Sequence, residues 1–531
     1  MSKGETKFGS YFKLPNPGLR AYFSHVEEGQ SDEYRTPFFK GKDLQTVLEE
    51  WDHTLSRIKD EWPTLYEFEN DLRKKVGPMS IMQPLDKRME DIDAYYDLIS
   101  LDQTPLDPAA LKAAQREWAQ VAGLRIRGQN RTVNVMKKST NSGSPYFTKR
   151  KRVVHDTVPT SVYWDGLDAY QDIPSGTWNS CAILGWRGQE GGPKPEDVKQ
   201  RVVWMFPFAQ NIAELQVYQP LIEAMQSRDL VPAWVGMESV DRAITRMFDT
   251  KGPDDLVVCT DFSKFDQHFN PVCQEVAREQ LGFLFHGDQG MASWLQNVFP
   301  IKYMIPLAYD MDKIRLGRHG MASGSGGTNA DETLLHRTLQ HEAAILNHST
   351  LNLNSQCLGD DGVLTYPGIK VEDVVRVYCS HGQEMNVDKQ YASKHDCTYL
   401  RRWHHKDYRV NGVCVGVYST MRALGRLAEQ ERYYDPEIWG PKMVALRQLS
   451  ILENVKWHPL REEFVDFCMK GDKFRLGLDI PGFFDHIERE AKDAIDYMPD
   501  FLGYTKSLQN DGNPSCGIKD WWIVNYLKSK R

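Results

Sequence analysis

Three short stretches hold the side chains best suited to chemistry. In DLVVCTDFSKFDQHF an apolar run ends at Asp261, and Asp266 follows five residues later. The run predicts a buried strand. A carboxylate at its end is costly unless it is paired or bound to a cation, although a capping Asp is the commoner explanation of such a stretch alone. In NSQCLGDDGVLTYPG, two strand-like runs flank Gly359-Asp360-Asp361-Gly362. Gly and Asp suit a hairpin turn because they tolerate positive φ. The same turn would push two adjacent carboxylates out at a sheet edge, where they raise each other's pKa. A divalent cation removes that penalty, and Mg²⁺ binds through one or two carboxylates plus substrate phosphates. In HGMASGSGGTNADETLLHR, Ser323, Gly324, Gly326 and Gly327 predict a flexible loop, and Thr328 and Asn329 lead into a helix. The loop is either a connection with a cap or a place where backbone and small hydroxyls approach a nucleotide.

The elements that must position these groups are legible around them. DLQTVLEEWDHTLSRIKDEW, PAALKAAQREWAQ and AELQVYQPLIEAMQ have helical spacing, VKQRVVWMFP reads as a strand, and the chain beyond about residue 410 is mainly helical. Basic residues gather in two places. Arg125, Arg127, Arg131, Lys137 and Lys138, with the run Lys149 to Arg152, bracket the turn TNSGSPYF, while Arg187 lies within the Gly-rich GWRGQEGGPKPED and Lys199 and Arg201 follow it. A charge run is ordinarily a solvated face, but basic side chains around a small-residue turn suit a phosphate backbone.

The chain has 531 residues, long enough for two to four packed subdomains. Its net charge of −8 argues against coating nucleic acid with the whole surface, not against a local basic channel. Nine singly scattered Cys suit a reducing, intracellular setting. Cys379-x-His381 and His395-x-Cys397 could supply four zinc ligands, but the spacing matches no common module, so buried Cys and surface His are expected. No run of signal-peptide or membrane-span length is present, and no membrane association is expected.

The ordered triple, Asp-x₄-Asp, then Ser-Gly-x₃-Thr, then Gly-Asp-Asp, resembles motifs A, B and C of viral RNA-dependent RNA polymerases. Arg187 with Lys199-Gln200-Arg201 resembles motif F, TNSGSPYF motif G, GQEMNVDKQ motif D and YLRRW motif E. Chain length, the SGSGGTN form and the opening GSYFKLPNPG look most like picobirnaviruses, with partitiviruses next. One departure is Glu332 where many single-stranded-RNA virus relatives place a ribose-reading Asn.

The resemblance implies an α+β right hand with fingers, a small antiparallel palm and a helical thumb. Residues 1–105 would bridge fingers and thumb, 106–240 form fingers, 241–405 form the palm with an inserted fingers segment at 271–318, and 406–531 form thumb and tail. It implies two Mg²⁺ ions, replaceable by Mn²⁺, on Asp261, Asp360 and Asp361. Asp266 with Ser323 or Asn329 would meet the ribose 2′-OH, Thr328 would also bind the nucleotide, and Arg187, Lys199 and Arg201 would meet the triphosphate. Lys389 would be either a general acid or an ordinary surface lysine. Asn141, Ser142, Gly143, Ser144, Pro145 and Gly324 would guide template. Implied partners are template and nascent RNA, NTPs and a capsid protein, in a virion interior or host cytoplasm. A reverse transcriptase or a catalytically silent RNA-binding scaffold are the alternatives. The tail DWWIVNYLKSKR either docks on the thumb through Trp521 and Trp522 or turns towards the cleft, with Lys528, Lys530 and Arg531 holding phosphates.

Overall fold

The computed structural model describes residues 7–434, 437–495, 497 and 517–531. At its centre lies the strand Val257–Thr260, short and buried throughout. The antiparallel strand Asp361–Leu364 pairs with it on one side and is in turn paired with Gln356–Leu358, while Tyr391–Ser393 pairs on the other side. Gly362 lies opposite Thr260, so the Gly-Asp-Asp turn and the end of the central strand meet at one edge.

The helix Thr328–Leu346 packs against this sheet and is buried along most of its length. It carries charge inside, and each charge needs a partner there. Arg337 and His341 both bind Glu117, at 2.6 and 2.7 Å.

A second sheet runs Lys199–Met205, Ala182–Gln189, Leu307–Asp310 and Lys313–Arg315, with the middle pair parallel. The helix Pro17–Glu28 buries Leu19 and Phe23 against Ile183 and Ala308 of that sheet and against Cys181, just before its strand. The next two helices, Leu44–Leu55 and Pro63–Arg73, share a separate core with Thr420–Ala428, Pro441–Glu453 and Arg461–Gly471. The N-terminal region therefore touches both the strand-rich body and the C-terminal helices.

One buried carboxylate joins the latter pair. Glu69 accepts from the Thr420 N–H at 2.6 Å, from the Thr420 hydroxyl at 2.5 Å and from the Met421 N–H at 3.3 Å, satisfying the start of Thr420–Ala428. We expect Glu69→Ala to cost ~3 kcal/mol, since it strands buried donors, and to lower the thermal midpoint. An unchanged midpoint would remove this joint from the account.

The C-terminal helix Trp522–Lys528 buries Ile523, Val524 and Leu527 in the same core. The N–H groups of Trp522 and Ile523 donate to the Glu453 carboxylate at 3.2 and 2.9 Å. Lys530 and Arg531 pair with Asp466 and Asp485 at 3.9 and 3.1 Å. The tail is thus docked on the helical lobe, and two of its three cations are spent there rather than offered to phosphate.

Candidate active site

The hairpin register leaves only Gly359 and Asp360 between paired Leu358 and Asp361. Gly359 takes φ +58°, the left-handed region such a turn demands. Its N–H donates to Thr333 Oγ1 at 3.0 Å, and its carbonyl accepts from His336 Nδ1 at 2.8 Å. Burial pushes His336 down to about 4, so the ring is neutral at pH 7 and can hold that carbonyl. A Cβ on Gly362 would meet His336 at 2.6 Å and Thr260 at 2.9 Å, so close packing requires glycine at 362, while at 359 it is the left-handed φ that favours glycine.

Asp261, one residue beyond the central strand, and Asp360 at the turn are both exposed. Asp361 is half-buried and accepts from the Leu400 N–H at 2.9 Å. Leu400 and Arg401 form a two-residue turn between Asp396–Tyr399 and Arg402–His405, both at positive φ. That conformation is disfavoured for side chains of this size.

Desolvation, then repulsion from Asp360, raises the Asp361 carboxyl to about 7. Asp360 is raised as well, by desolvation and then Asp266, with Arg201 opposing. Three hard oxygen donors that repel one another and face an open edge are the donor chemistry a divalent cation requires. They are nevertheless not preassembled: among the described residues no group of three or more His, Cys, Asp or Glu is gathered closely enough to hold a metal ion.

Beside them, the Asp266 carboxyl is hydrogen-bonded to Glu332, the residue that departs from the resembled pattern. Burial, then repulsion from Asp266, holds Glu332 well above the usual carboxylate range. Two carboxyls in contact share a proton instead of both ionising. The pairing was not legible in the sequence, where Glu332 stood out only as a departure. Asn329 Oδ1 accepts from Trp234 Nε1 at 2.8 Å, and its amide nitrogen lies 3.9 Å from where a Cβ on Gly359 would sit. Ser323 donates to the Val202 carbonyl at 3.2 Å, and Thr328 Oγ1 donates to Ser325 O at 3.1 Å.

The glycine loop is not flexible in the way the sequence suggests. A Cβ on Gly324 would lie 1.5 Å from the Trp204 carbonyl oxygen, and one on Gly327 2.2 Å from the Tyr218 ring. Glu214, wholly buried, accepts from the Ser325 hydroxyl and from the Gly326 N–H at 3.1 Å. Behind the loop, Lys302 and Asp331, both at 0% exposure, pair at 3.1 Å, and Tyr218 and Tyr303 donate to Asp331 at 2.7 Å. The glycines permit close backbone approach, not freedom. Sequence reasoning missed this buried brace, which has no signal short of the tertiary contacts.

Arg187 and Arg201 lie directly opposite on paired strands, with Lys199 two residues from Arg201, so all three share a face. Arg201 is near enough to Asp266 and Asp360 to favour their ionised forms. Arg187 also pairs with Glu431 at 3.3 Å. Gln200, on the other face, is fixed to the Ile81 carbonyl at 2.6 Å. Lys389 is exposed in the turn Val387–Lys389.

The turn expected to guide template keeps most of its small side chains inside. Ser142 and Ser144 are 2% and 1% exposed, and Gly143 and Pro145 are also buried. Ser142 Oγ accepts from Thr148 N–H at 3.1 Å, Ser144 Oγ donates to the Tyr11 carbonyl at 2.6 Å, and Asn141 Oδ1 accepts from Gly143 N–H at 2.7 Å. Asn141 and Ser142 close the turn on itself and Ser144 ties it to Tyr11, while Lys149, Lys151 and Arg152 are exposed beside it. The zinc set is not assembled either. His381 binds Glu342 and the Thr104 carbonyl, while Cys397 is wholly buried beside Cys259.

Paired carboxylates at the edge of a small antiparallel sheet, a clamped glycine loop and a facing basic strand define a template-directed nucleotidyltransferase of the right-hand class. A family model for viral RNA-dependent RNA polymerase matches residues 125–412, and the chain belongs to that family. It is 67% identical over 528 residues, 99% of either chain, to a potential RNA-dependent RNA polymerase of human picobirnavirus. It also superposes on the crystal structure of a human picobirnavirus RNA-dependent RNA polymerase with a TM-score of 0.95, at 66% identity and full coverage of both chains. A sicinivirus polymerase shares the fold alone, with a TM-score of 0.50 at 16% identity over 72% of this chain and 85% of its own. Among the described residues, no helix is long and apolar enough to cross a membrane.

Proposed function

We propose that this RNA-dependent RNA polymerase replicates and transcribes a double-stranded RNA genome, with Asp261, Asp360 and Asp361 holding two Mg²⁺ ions for which Mn²⁺ can substitute. The observation that carries this reading is that the end of the central strand, which leads into Asp261, and the Gly-Asp-Asp turn lie at one sheet edge, with Asp361 lifted to about 7. Bound there, the cations would supply charge neutralisation for the attacking and leaving oxygens of phosphoryl transfer.

The chain's own groups do the rest. Lys199 and Arg201, with Arg187, draw charge from the triphosphate. Lys389 donates a proton to the leaving pyrophosphate. Asp266 with Glu332 presents both a donor and an acceptor to the ribose 2′-OH, and the Asn329 amide completes that contact. The 2′-OH is the group that separates RNA from DNA precursors. Residues 1–105, 106–240, 241–405 and 406–531 serve as bridge, fingers, palm and thumb, with 271–318 an insertion of fingers. The working place is a virion interior and the host cytoplasm, with a capsid protein as partner.

The ribose reading has a direct test. In single-nucleotide extension on an RNA template, Asp266→Ala should erode the preference for NTP over dNTP by ~10- to 100-fold, the scale on which one buried polar contact discriminates. Undiminished discrimination would remove Asp266 from the ribose site.

Template binding should depend steeply on salt despite the net charge of −8. If about four phosphates are neutralised, log affinity should fall against log salt with a slope near −3. A flat titration would contradict a basic channel.

A further inference from the structure

The turn that carries Lys389 is fastened to the catalytic strand by a side chain with no role assigned so far. Backbone pairing between Val257–Thr260 and Tyr391–Ser393 reaches Cys259 opposite Tyr391. Beyond it the ladder continues through Gln390. Its Oε1 accepts from the Asp261 N–H at 2.7 Å, and its Nε2 donates to the Asp261 carbonyl at 3.0 Å. This is the two-bond exchange of an antiparallel residue pair, made by a side-chain amide in place of a peptide.

The same Nε2 donates to the Asn386 carbonyl at 2.9 Å, and Asn386 Oδ1 accepts from the Asp388 N–H at 2.9 Å, closing the turn Val387–Lys389. Further out, the Ser263 N–H donates to the Glu384 carbonyl at 2.9 Å. Among the described residues no hydrogen bond holds the Asp261 carboxylate itself, so its place is set through its backbone.

We infer that Gln390 is a positioning residue, fixing the Asp261 peptide and tying it to the Lys389 turn so that the carboxylate and the ammonium keep one geometry. An exposed residue just past the end of a strand frays unless something holds it, and misplacement of a reacting group by ~1 Å costs about a hundredfold in rate. The inference rests on the reading of Asp261 as a metal-holding carboxylate.

The experiment uses full-length Gln390→Ala, Gln390→Glu and Asp261→Asn. Gln390→Glu is nearly the same size, keeps an oxygen for the Asp261 N–H and turns a second oxygen on the carbonyls of Asp261 and Asn386. Both Gln390 variants should lower kcat for incorporation ~10- to 100-fold while leaving KM for NTP within about twofold. Gln390→Ala, which removes the acceptor, should also speed hydrogen exchange at the Asp261 amide, a readout independent of activity and of metal. Should Gln390→Ala fold poorly, Gln390→Glu carries the test. Wild-type kcat, or unchanged exchange at Asp261 in Gln390→Ala, overturns the inference. A lowered melting point with kcat intact also overturns it, since Gln390 would then be a structural brace only. Activity in Asp261→Asn would sink the reading of Asp261 itself, whereas an inactive Asp261→Asn beside a fully active Gln390→Ala would sink only the role of Gln390.

Discussion

Asp360→Ala should abolish nucleotide incorporation, lowering it by more than about a thousandfold, while the protein folds and binds RNA as before. The size of the loss follows from charge. Removing one preorganised partner of a transition-state charge commonly costs 10²–10³, and here the lost group is also a proposed anchor of a cation. The fold is spared because Asp360 occupies an exposed turn whose shape is set by Gly359, Thr333 and His336. Taking away a carboxylate that repels Asp361 should, if anything, raise the melting temperature. Extension at the wild-type rate by a folded Asp360→Ala protein would falsify the catalytic assignment.

Gly324→Ala should be nearly as damaging for a different reason. Its methyl would fall 1.5 Å from the Trp204 carbonyl oxygen, and the obstacle is backbone, which cannot swing aside as a side chain can. The loop must retreat from the strand that bears Arg201 and carry Ser323 and Thr328 with it. A loss of about a hundredfold in kcat/KM is expected from displacement on that scale. Gly128→Ala is the control, because a Cβ there meets nothing within 4 Å. Similar kinetics in the two variants would show that the close approach has no bearing on activity.

What could be read from the sequence followed the range of each interaction. The Gly-Asp-Asp turn was legible because its chemistry and its conformation are both encoded in adjacent residues. The helices Leu44–Leu55, Pro108–Trp118 and Phe208–Ser227 and the strand Lys199–Met205 came out of periodicity. The motif order placed Asp261 beside Asp360, although they are far apart in the chain.

Features that depend on a partner distant in sequence were hidden. Glu332 reads as a missing Asn because Asp266, the carboxyl it contacts, is distant in sequence. The glycines at 324 and 327 read as mobility because nothing local announces Trp204 or Tyr218 beside them. Ser142 and Ser144 read as available to RNA, but the Ser142 hydroxyl is spent within the turn and the Ser144 hydroxyl on the distant Tyr11 carbonyl. The clamp from Gln390 to Asp261 left no trace in composition or spacing.

The central claim is that this sheet edge performs metal-dependent, RNA-templated ribonucleotide transfer. Its most direct test is extension of an RNA primer on an RNA template by the purified full chain, with Mg²⁺, with Mg²⁺ plus EDTA, and with dNTPs replacing NTPs. The account predicts templated products from NTPs with free Mg²⁺, none under EDTA and few from dNTPs, with Asp261→Asn and Asp360→Asn silent throughout. Products that persist under EDTA, or in either aspartate variant, would contradict it.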